Sequence, residues 1–163
     1  MGYTHYWSIS GKEIPPAAWD AAVEDIKKIW PELNNMGIKI VFDSNDTSLP
    51  AEITSEVIRF NGARAEGHET FIINRKGPAR TGKPIRTPAG KRFGFCKTAR
   101  KPYDVAVCAC LIILTYHLPS DFSASSDGYI NDWEPALVLT DKILGYGKHD
   151  FAFNIDGILV KFA

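Results

Sequence analysis

The chain has 163 residues, of which 45% are hydrophobic and 23% are charged, and its 19 basic side chains balance its 19 acidic ones. This length and composition predict a single domain spanning residues 1–163 with its own core, and they exclude an intrinsically disordered chain. The longest apolar run, residues 105–114, is about half of what a membrane span needs, and the N-terminus lacks a secretory signal, so we expect a cytoplasmic protein without a membrane partner.

The first half of the chain alternates strand and helix patterns. Residues 3–9 alternate in a way typical of a strand, with Tyr3, His5, Trp7 and Ile9 on one face. Apolar residues then recur every three or four positions, which predicts an amphipathic helix over residues 16–33. Strands are predicted at residues 38–43, 57–62 and 69–75, with a polar loop at 44–52.

The second half begins with a segment rich in glycine, proline and basic residues. It predicts a mobile basic loop at about 76–90, followed by a strand at 92–98 that we expect to pair with residues 69–75. A helix then starts near Pro102 and is apolar nearly all round, so it should be central and buried.

The last third of the chain predicts a short strand, a helix and a hairpin. The strand lies at residues 121–126, and the helix at 133–144 is capped by Asn131 or Asp132. Asp156 and Gly157 favour a tight hairpin turn between two final strands. The element order predicts an α+β fold, with a mostly antiparallel sheet and three helices packed on one face.

Charge is distributed unevenly along the chain. Ten basic residues and no acidic residue lie between Arg75 and Lys101, so the other 136 residues carry a net charge of −10. This asymmetry predicts a positive potential that attracts phosphates or carboxylates. The alternative is a solvated basic loop that packs against the acidic remainder of the chain.

Residues 95–104, "FCKTARKPYD", provide the candidate anion site. Arg100 and Lys101 stand just before a helix N-terminus, where free amides and the helix dipole attract anions, and Lys97 and Thr98 add a cation and a hydroxyl. In the alternative, Arg100 pairs with Asp104 and closes the helix end.

The cysteines offer weaker candidates. Cys96 is either a nucleophile activated by neighbouring cations or a packed strand residue, and the spacing to Arg100 excludes a phosphatase loop. Cys108 and Cys110 would make half of a zinc site, but the chain has no second pair. We therefore expect no metal and no cofactor.

Aromatic and polar residues complete the predicted ligand site. Tyr6, Trp7 and Tyr103 provide rings for stacking, while Asp127 and Asp132 lie in segments that suit either ribose contacts or a turn and a helix cap. Most aromatic residues of the chain must nevertheless belong to the core.

Several motifs resemble a family of small uncharacterised proteins from bacteriophages and bacteria. They are "GYTHYW", "IRFNG" with "HETF", "FCKTARKPYD", and "SSDG" followed by "DW", and they cover most of the chain in order. The resemblance implies a phage or bacterial intracellular setting but no activity. It marks residues 2–7, Asn61 and Glu69 as motif positions, together with residues 96–104, 126–128, 132 and 133.

These patterns favour non-enzymatic binding of a small anionic, nucleotide-like ligand. By analogy, such a protein from a phage could sequester a nucleotide immune signal of the host as a counter-defence. The predicted ligand-binding residues are Arg100, Lys101, Lys97, Thr98, Tyr103, Tyr6, Trp7, His5, Asn61, Glu69, Asp127 and Asp132.

Two other functions remain open at the sequence level. One is a metal-dependent hydrolase or nuclease built from His5, His68, Glu69 and Asp127. The other is a nucleic-acid or protein interaction module that uses the basic loop, and a homo-oligomer is also compatible with the sequence.

Overall fold

The computed structural model describes residues 2–78 and 85–162 and confirms the α+β fold. Among these residues there are three α-helices and ten strands, and the strands pair antiparallel. The helices are α1 (Pro16–Asn35), α2 (Asp104–His117) and α3 (Glu134–Leu144). In this part of the chain, no helix combines the length and apolarity needed to cross a membrane.

The strands form two four-stranded sheets and a separate hairpin. The first sheet has the order β6-β7-β1-β8, with β1 (Thr4–Ile9), β6 (Ile85–Arg86), β7 (Arg92–Lys97) and β8 (Phe122–Ser126). The second surrounds β4 (Val57–Gly62) with β2 (Ile40–Val41), β3 (Glu52–Ile53) and β5 (Phe71–Asn74). The hairpin joins β9 (Phe151–Phe153) to β10 (Leu159–Lys161), and a bridge from Ser125 to Ile158 ties it to β8.

The pairing of β7 corrects a sequence-based expectation. β7 pairs with β1, with His5 opposite Cys96, while β5 pairs with β4. Gly94 of β7 explains part of this choice, because its missing side chain leaves room for the Trp7 ring across the pair. β1 and β7 lie about 90 residues apart in the chain, so a local sequence pattern could not identify them as partners.

Four smaller expectations also change. The strand expected at residues 38–43 shortens to Ile40–Val41, and β3 lies where a polar loop was expected to end. Asp132 accepts a hydrogen bond from the Tyr129 amide and so caps a short 3-10 turn, Ile130–Trp133, instead of α3. Within the expected basic loop, residues 85–86 form β6, and Arg80 and Lys83 lie outside the described residues.

Helix α2 is the centre of the fold, as its composition predicted. Its residues 106–115 are all buried, and it packs against α1, α3 and β8. The helix therefore holds its first residue, Asp104, in a fixed position beside β1, where the candidate site lies.

The alternation along β1 is confirmed, with Tyr3, His5, Trp7 and Ile9 buried. Trp7 is only 1% exposed, and its ring contacts Phe71 edge-on at a centroid distance of 5.2 Å. Because this ring is covered by the core, it cannot stack on a ligand, and we remove Trp7 from the candidate site.

The close approach of Gly94 to Trp7 gives a stability prediction. A Cβ at Gly94 would lie 2.5 Å from Trp7 Nε1, so Gly94→Ala should lower the free energy of unfolding by about 2 kcal/mol through overpacking. Urea unfolding followed by Trp fluorescence measures this. Gly37→Ala is the matched control, since nothing lies within 4 Å of its Cβ and only its left-handed backbone opposes the change. Because alanine in the left-handed region itself costs about 1 kcal/mol or more, the contradicting result is a loss below about 1 kcal/mol in Gly94→Ala.

Candidate functional site

The N-terminus of α2 meets β1 in a buried polar cluster around Asp104. His5 Nε2 lies 2.6 Å from Asp104 Oδ1, and the Thr98 hydroxyl donates to the same oxygen at 2.5 Å. Asp104 thus turns inward, which corrects the alternative in which it pairs with Arg100. Thr98 is buried and engaged here, so its hydroxyl is not available to a ligand.

Ser126, at the end of β8, continues this cluster on the other side of His5. Its Oγ lies 2.9 Å from His5 Nδ1 and accepts a hydrogen bond from the Gly128 amide at 2.9 Å. Since a carboxylate only accepts, the neutral His5 ring carries its proton on Nε2 toward Asp104. Nδ1 is then the acceptor, and the Ser126 hydroxyl donates to it.

The environment of His5 is dry and aromatic. The side chain is fully buried, and the rings of Tyr3 and Trp133 contact it edge-on at 5.0 and 5.1 Å. Desolvation raises the pKa of the Tyr3 hydroxyl far above its ordinary value, with nearby Cys108 and Asp104 adding to the effect. The two rings therefore cover His5 on these sides.

Cys108 lies against the same histidine. Its Sγ is 3.5 Å from His5 Nε2 and 3.6 Å from Asp104 Oδ2, and burial raises its pKa so that it stays a thiol. His5, Asp104 and Cys108 form the one group within the described residues whose ligand atoms are close enough to hold a metal ion. They would supply three of the four ligands of a typical zinc site, and Cys110, which the sequence offered with Cys108 as half of such a site, is not among them.

Arg100 lies over the face of the Tyr3 ring, and its side chain is exposed to solvent. Its Nη1 donates to Asp132 Oδ1 at 2.8 Å, and its guanidinium carbon lies 4.0 Å from the centre of the Tyr3 ring. The side chain is 61% exposed. Hydrogen bonds from the Tyr129 amide and from Arg100 lower the pKa of Asp132, so the partner is ionised at neutral pH.

A cleft of about 450 Å³ opens beside this arginine, and we call it the Arg100 cleft. Gly2, Tyr3, Ala99, Arg100 and Asp127 line it. Asp127 is held by the Thr4 amide at 3.1 Å and by the Tyr6 hydroxyl at 3.0 Å. The structure thus brings together three predicted site residues, Arg100, Asp127 and Asp132, with Tyr6 at the edge.

Two predicted lysines differ in their relation to this cleft. The Lys97 side chain passes next to Gly2, since a Cβ there would lie 2.7 Å from Lys97 Cε. Lys97 therefore borders the cleft. Lys101 is partly buried, and its amide donates to the Thr98 carbonyl to close the turn before α2.

Cys96, Tyr103 and Glu69 form a structural group behind the strand. The Tyr103 hydroxyl donates to the Glu69 carbonyl at 2.5 Å, and Cys96 Sγ lies 3.4 Å from the same oxygen. Glu69 Oε2 accepts from the Lys97 amide. Cys96 and Tyr103 are fully buried, so neither a nucleophilic thiol nor a stacking ring is presented to solvent here.

Asn61 and His68 also support the backbone. The Asn61 amide group donates to the His68 carbonyl and to Thr70, and its oxygen accepts from the Gly62 and His68 amides. His68 Nδ1 lies 3.1 Å from the Lys97 carbonyl. These contacts fix the turn between β4 and β5 and leave the Asn61 side chain with no capacity for a ligand.

Two arginines of the basic segment make contacts within the fold. Arg75 pairs with Glu13 and Glu56, while buried Arg92 donates to the carbonyls of Asn74, Arg75 and Gly77. Burial lowers the pKa of Arg92 below its ordinary value. These two cations therefore stabilise the strands instead of attracting an external anion.

Sequence reasoning placed Ser126 in a motif segment but did not connect it with His5, and it missed the inward role of Asp104. The alternation of β1 placed His5 on the buried face, where a histidine needs polar partners, and this was the available indication. The partners themselves lie 99 and 121 positions further along the chain, so no spacing pattern could identify them.

Comparisons of the chain with protein-family models, with curated proteins and with solved structures found no match.

Proposed function

We propose that the chain binds a small anionic, nucleotide-like ligand in the Arg100 cleft. The observation that carries this proposal is the Arg100 guanidinium, which lies exposed at the wall of a cleft that Tyr3 and Gly2 also line. A guanidinium presents several N–H donors in a rigid plane and suits a phosphate or carboxylate.

The backbone at this point supports a binding role. Ala99 and Arg100 both have left-handed φ angles, 52° and 59°, which non-glycine residues seldom adopt. The Tyr3 carbonyl holds the turn by accepting from the Thr98 and Ala99 amides. Such strained positions cost about 1–3 kcal/mol each and concentrate at functional sites.

The Asp132 partner does not prevent anion binding. An ion pair this exposed contributes about 0–1 kcal/mol, because water solvates both charges. A phosphate that forms two parallel charge-assisted hydrogen bonds with the guanidinium exceeds that contribution. Asp132 therefore keeps Arg100 oriented over Tyr3 until a ligand arrives.

Lys97 and Tyr6 extend the proposed ligand site. Lys97 borders the cleft at Gly2 and adds a second positive charge. The partly exposed Tyr6 ring stacks on Phe93 at a centroid distance of 6.3 Å, and both line a separate cavity. Its hydroxyl donates to Asp127 of the Arg100 cleft, so Tyr6 is the remaining aromatic candidate for a base. Sequestration of a host nucleotide signal stays a prediction, as does a homo-oligomer.

The test is ligand binding by an Arg100 variant. Arg100→Gln should weaken binding of nucleoside mono-, di- and triphosphates about 10- to 100-fold, because a hydrogen bond to a charged group is worth about 1.5–3 kcal/mol. Isothermal titration calorimetry measures this, and native mass spectrometry of freshly purified protein detects a retained phosphate-bearing ligand.

Lys148→Gln is the matched control. Lys148 is similarly exposed at 55% and pairs with Glu134, outside the cleft. It should bind the nucleotides like the wild type. Absence of binding across the panel, or equal affinity in the wild type and Arg100→Gln, would overturn the proposal.

The two alternative functions have less support. His68 and Glu69 are engaged with the Lys97 backbone, so a metal site shared with His5 has no geometric basis in the described residues. The basic-loop interaction module depends on residues 76–90, of which 79–84 lie outside the described part of the chain. It stays a prediction that steep salt dependence of nucleic-acid binding would test.

A further inference from the structure

A second cavity lies on the far side of Asp127, and we call it the Ser126 cavity. Its volume is about 460 Å³. It is lined on one side by the segment from Ser126 to Ile130, and on the other by residues of the β9–β10 hairpin. Ser126, at the end of β8, is one of the residues that line the cavity. Ile130 and Phe153 add apolar side chains from the two sides.

The Ser126 hydroxyl belongs to a chain of three side chains. Ser126 Oγ is 2.9 Å from His5 Nδ1, and His5 Nε2 is 2.6 Å from Asp104 Oδ1. This is the nucleophile, base and orienting carboxylate order of activated-serine sites, with both distances in hydrogen-bond range. The two nitrogens are used in the reverse order of the familiar serine proteases, where the serine contacts Nε2.

The neighbouring groups fix the direction of proton transfer. Asp104 accepts from Nε2, so the other nitrogen of the neutral ring is a free base aimed at the Ser126 hydroxyl. The Gly128 amide donates to Ser126 Oγ and occupies one acceptor position, and the hydroxyl proton is within hydrogen-bond reach of His5 Nδ1. The rings of Tyr3 and Trp133 contact the His5 ring edge-on and hold it between Ser126 and Asp104.

We propose that Ser126 is an activated nucleophile that accepts an acyl group from a small carboxylic ester bound in the Ser126 cavity. Ser126 Oγ bonds to the ester carbonyl carbon while His5 Nδ1 takes the hydroxyl proton. The C–O bond to the alcohol then breaks, and His5 returns the proton to the leaving alcohol. A water molecule attacks the acyl-serine in the same way and releases the carboxylic acid and free Ser126.

Each residue has one role in this sequence of steps. Asp104 holds the His5 ring and stabilises the imidazolium that forms after each proton transfer. The Gly128 amide donates to Oγ at 2.9 Å and holds the nucleophile in place. The inference does not rest on anion binding, because Arg100 does not line this cavity.

The experiment is labelling of the intact protein with an alkyl fluorophosphonate. The reagent forms an O–P bond to an activated serine as the P–F bond breaks and fluoride leaves with the serine proton. We expect one adduct per chain, located at Ser126 by peptide mapping. Ser126→Ala should lose it, while Ser125→Ala, one position earlier on β8, should label at the wild-type rate.

Two further variants test the base and its orienting group. His5→Gln and Asp104→Asn should each slow labelling at least about 100-fold, the low end of what a general base contributes. Because His5 is buried and its variant could fail to fold, the wild type is also incubated with p-nitrophenyl acetate, which should leave an acetyl group on Ser126 in intact mass spectrometry.

The outcomes separate this inference from nucleotide binding. Arg100→Gln should label at the wild-type rate, and Ser126→Ala should retain nucleotide binding. Absence of both adducts from the wild type, labelling that persists in Ser126→Ala, or unchanged labelling in folded Asp104→Asn would each overturn the proposal.

Discussion

Replacing Asp104 with alanine is expected to lower the free energy of unfolding by about 4 kcal/mol, because two buried donors lose their acceptor at about 1–3 kcal/mol each. The donors are His5 Nε2 and the Thr98 hydroxyl, both bonded to Asp104 Oδ1. His5 and Thr98 are fully buried, so water cannot replace the carboxylate without opening the structure.

Chemical denaturation followed by circular dichroism measures this loss. Glu134→Ala is the matched control, since Glu134 is the first residue of α3 as Asp104 is of α2, but it is exposed. Its removal costs the helix-dipole interaction and a surface ion pair, together about 1 kcal/mol. Equal losses in the two variants would mean that Asp104 acts only as a helix-end charge.

The same carboxylate connects stability to the proposed chemistry. Asp104 anchors the start of the central helix to β1, and through His5 it reaches Ser126 on β8. One strand pair and one helix end therefore position the three side chains, so their geometry is set by the core. A site built on rigid elements in this way holds its reacting groups more accurately than one built on loops.

Local pattern predicted the helices and the buried face of β1 correctly. The period of α1, the all-apolar composition of α2 and the alternation of β1 each describe a single segment, and each is confirmed. These features depend on which faces of one element are apolar, and the sequence records that directly.

The strand pairing and the composition of the site depend on contacts between distant segments. β7 pairs with β1 and not with β5, which is nearer in the chain. Arg100 forms its ion pair with Asp132 and not with Asp104, which is four residues away. The left-handed backbone at Ala99 and Arg100 explains the second difference, because it turns the arginine away from the helix axis. No helical spacing rule applies across such a turn.

A second carboxylate, the partly buried Asp25 of α1, should matter in the stability of the helical layer. Its Oδ2 accepts from Tyr146 at 2.7 Å and lies 2.8 Å from His117 Nε2, and Lys28 is 3.6 Å from Oδ1. Asp25→Ala should lower the free energy of unfolding at neutral pH by about 3 kcal/mol, since the Tyr146 hydroxyl and His117 Nε2 both lose their partner. The cluster ties α1 to the end of α2 and to the segment after α3.

The Asp25 effect should depend on pH in a defined direction. Burial alone would raise the pKa of Asp25, but hydrogen bonds from Tyr146 and His117 outweigh it and hold the pKa below the ordinary value of 3.8. The unfolded chain then binds more protons than the folded one in that region, so this contribution is complete above pH 3.8 and is lost as the pH falls through the folded-state pKa.

The measurement is urea unfolding of the wild type and Asp25→Ala from pH 7 down to pH 2, with Glu24→Ala as the control. Glu24 precedes Asp25 on the same helix, but its pair with Lys27 at 3.9 Å is exposed, so its removal should cost less than about 1 kcal/mol at every pH. The difference between the wild type and Asp25→Ala should shrink below pH 4, while the Glu24→Ala difference stays small. A difference that stays constant or grows in acid would show that Asp25 stabilises the fold by packing and not as a carboxylate that accepts from Tyr146 and His117.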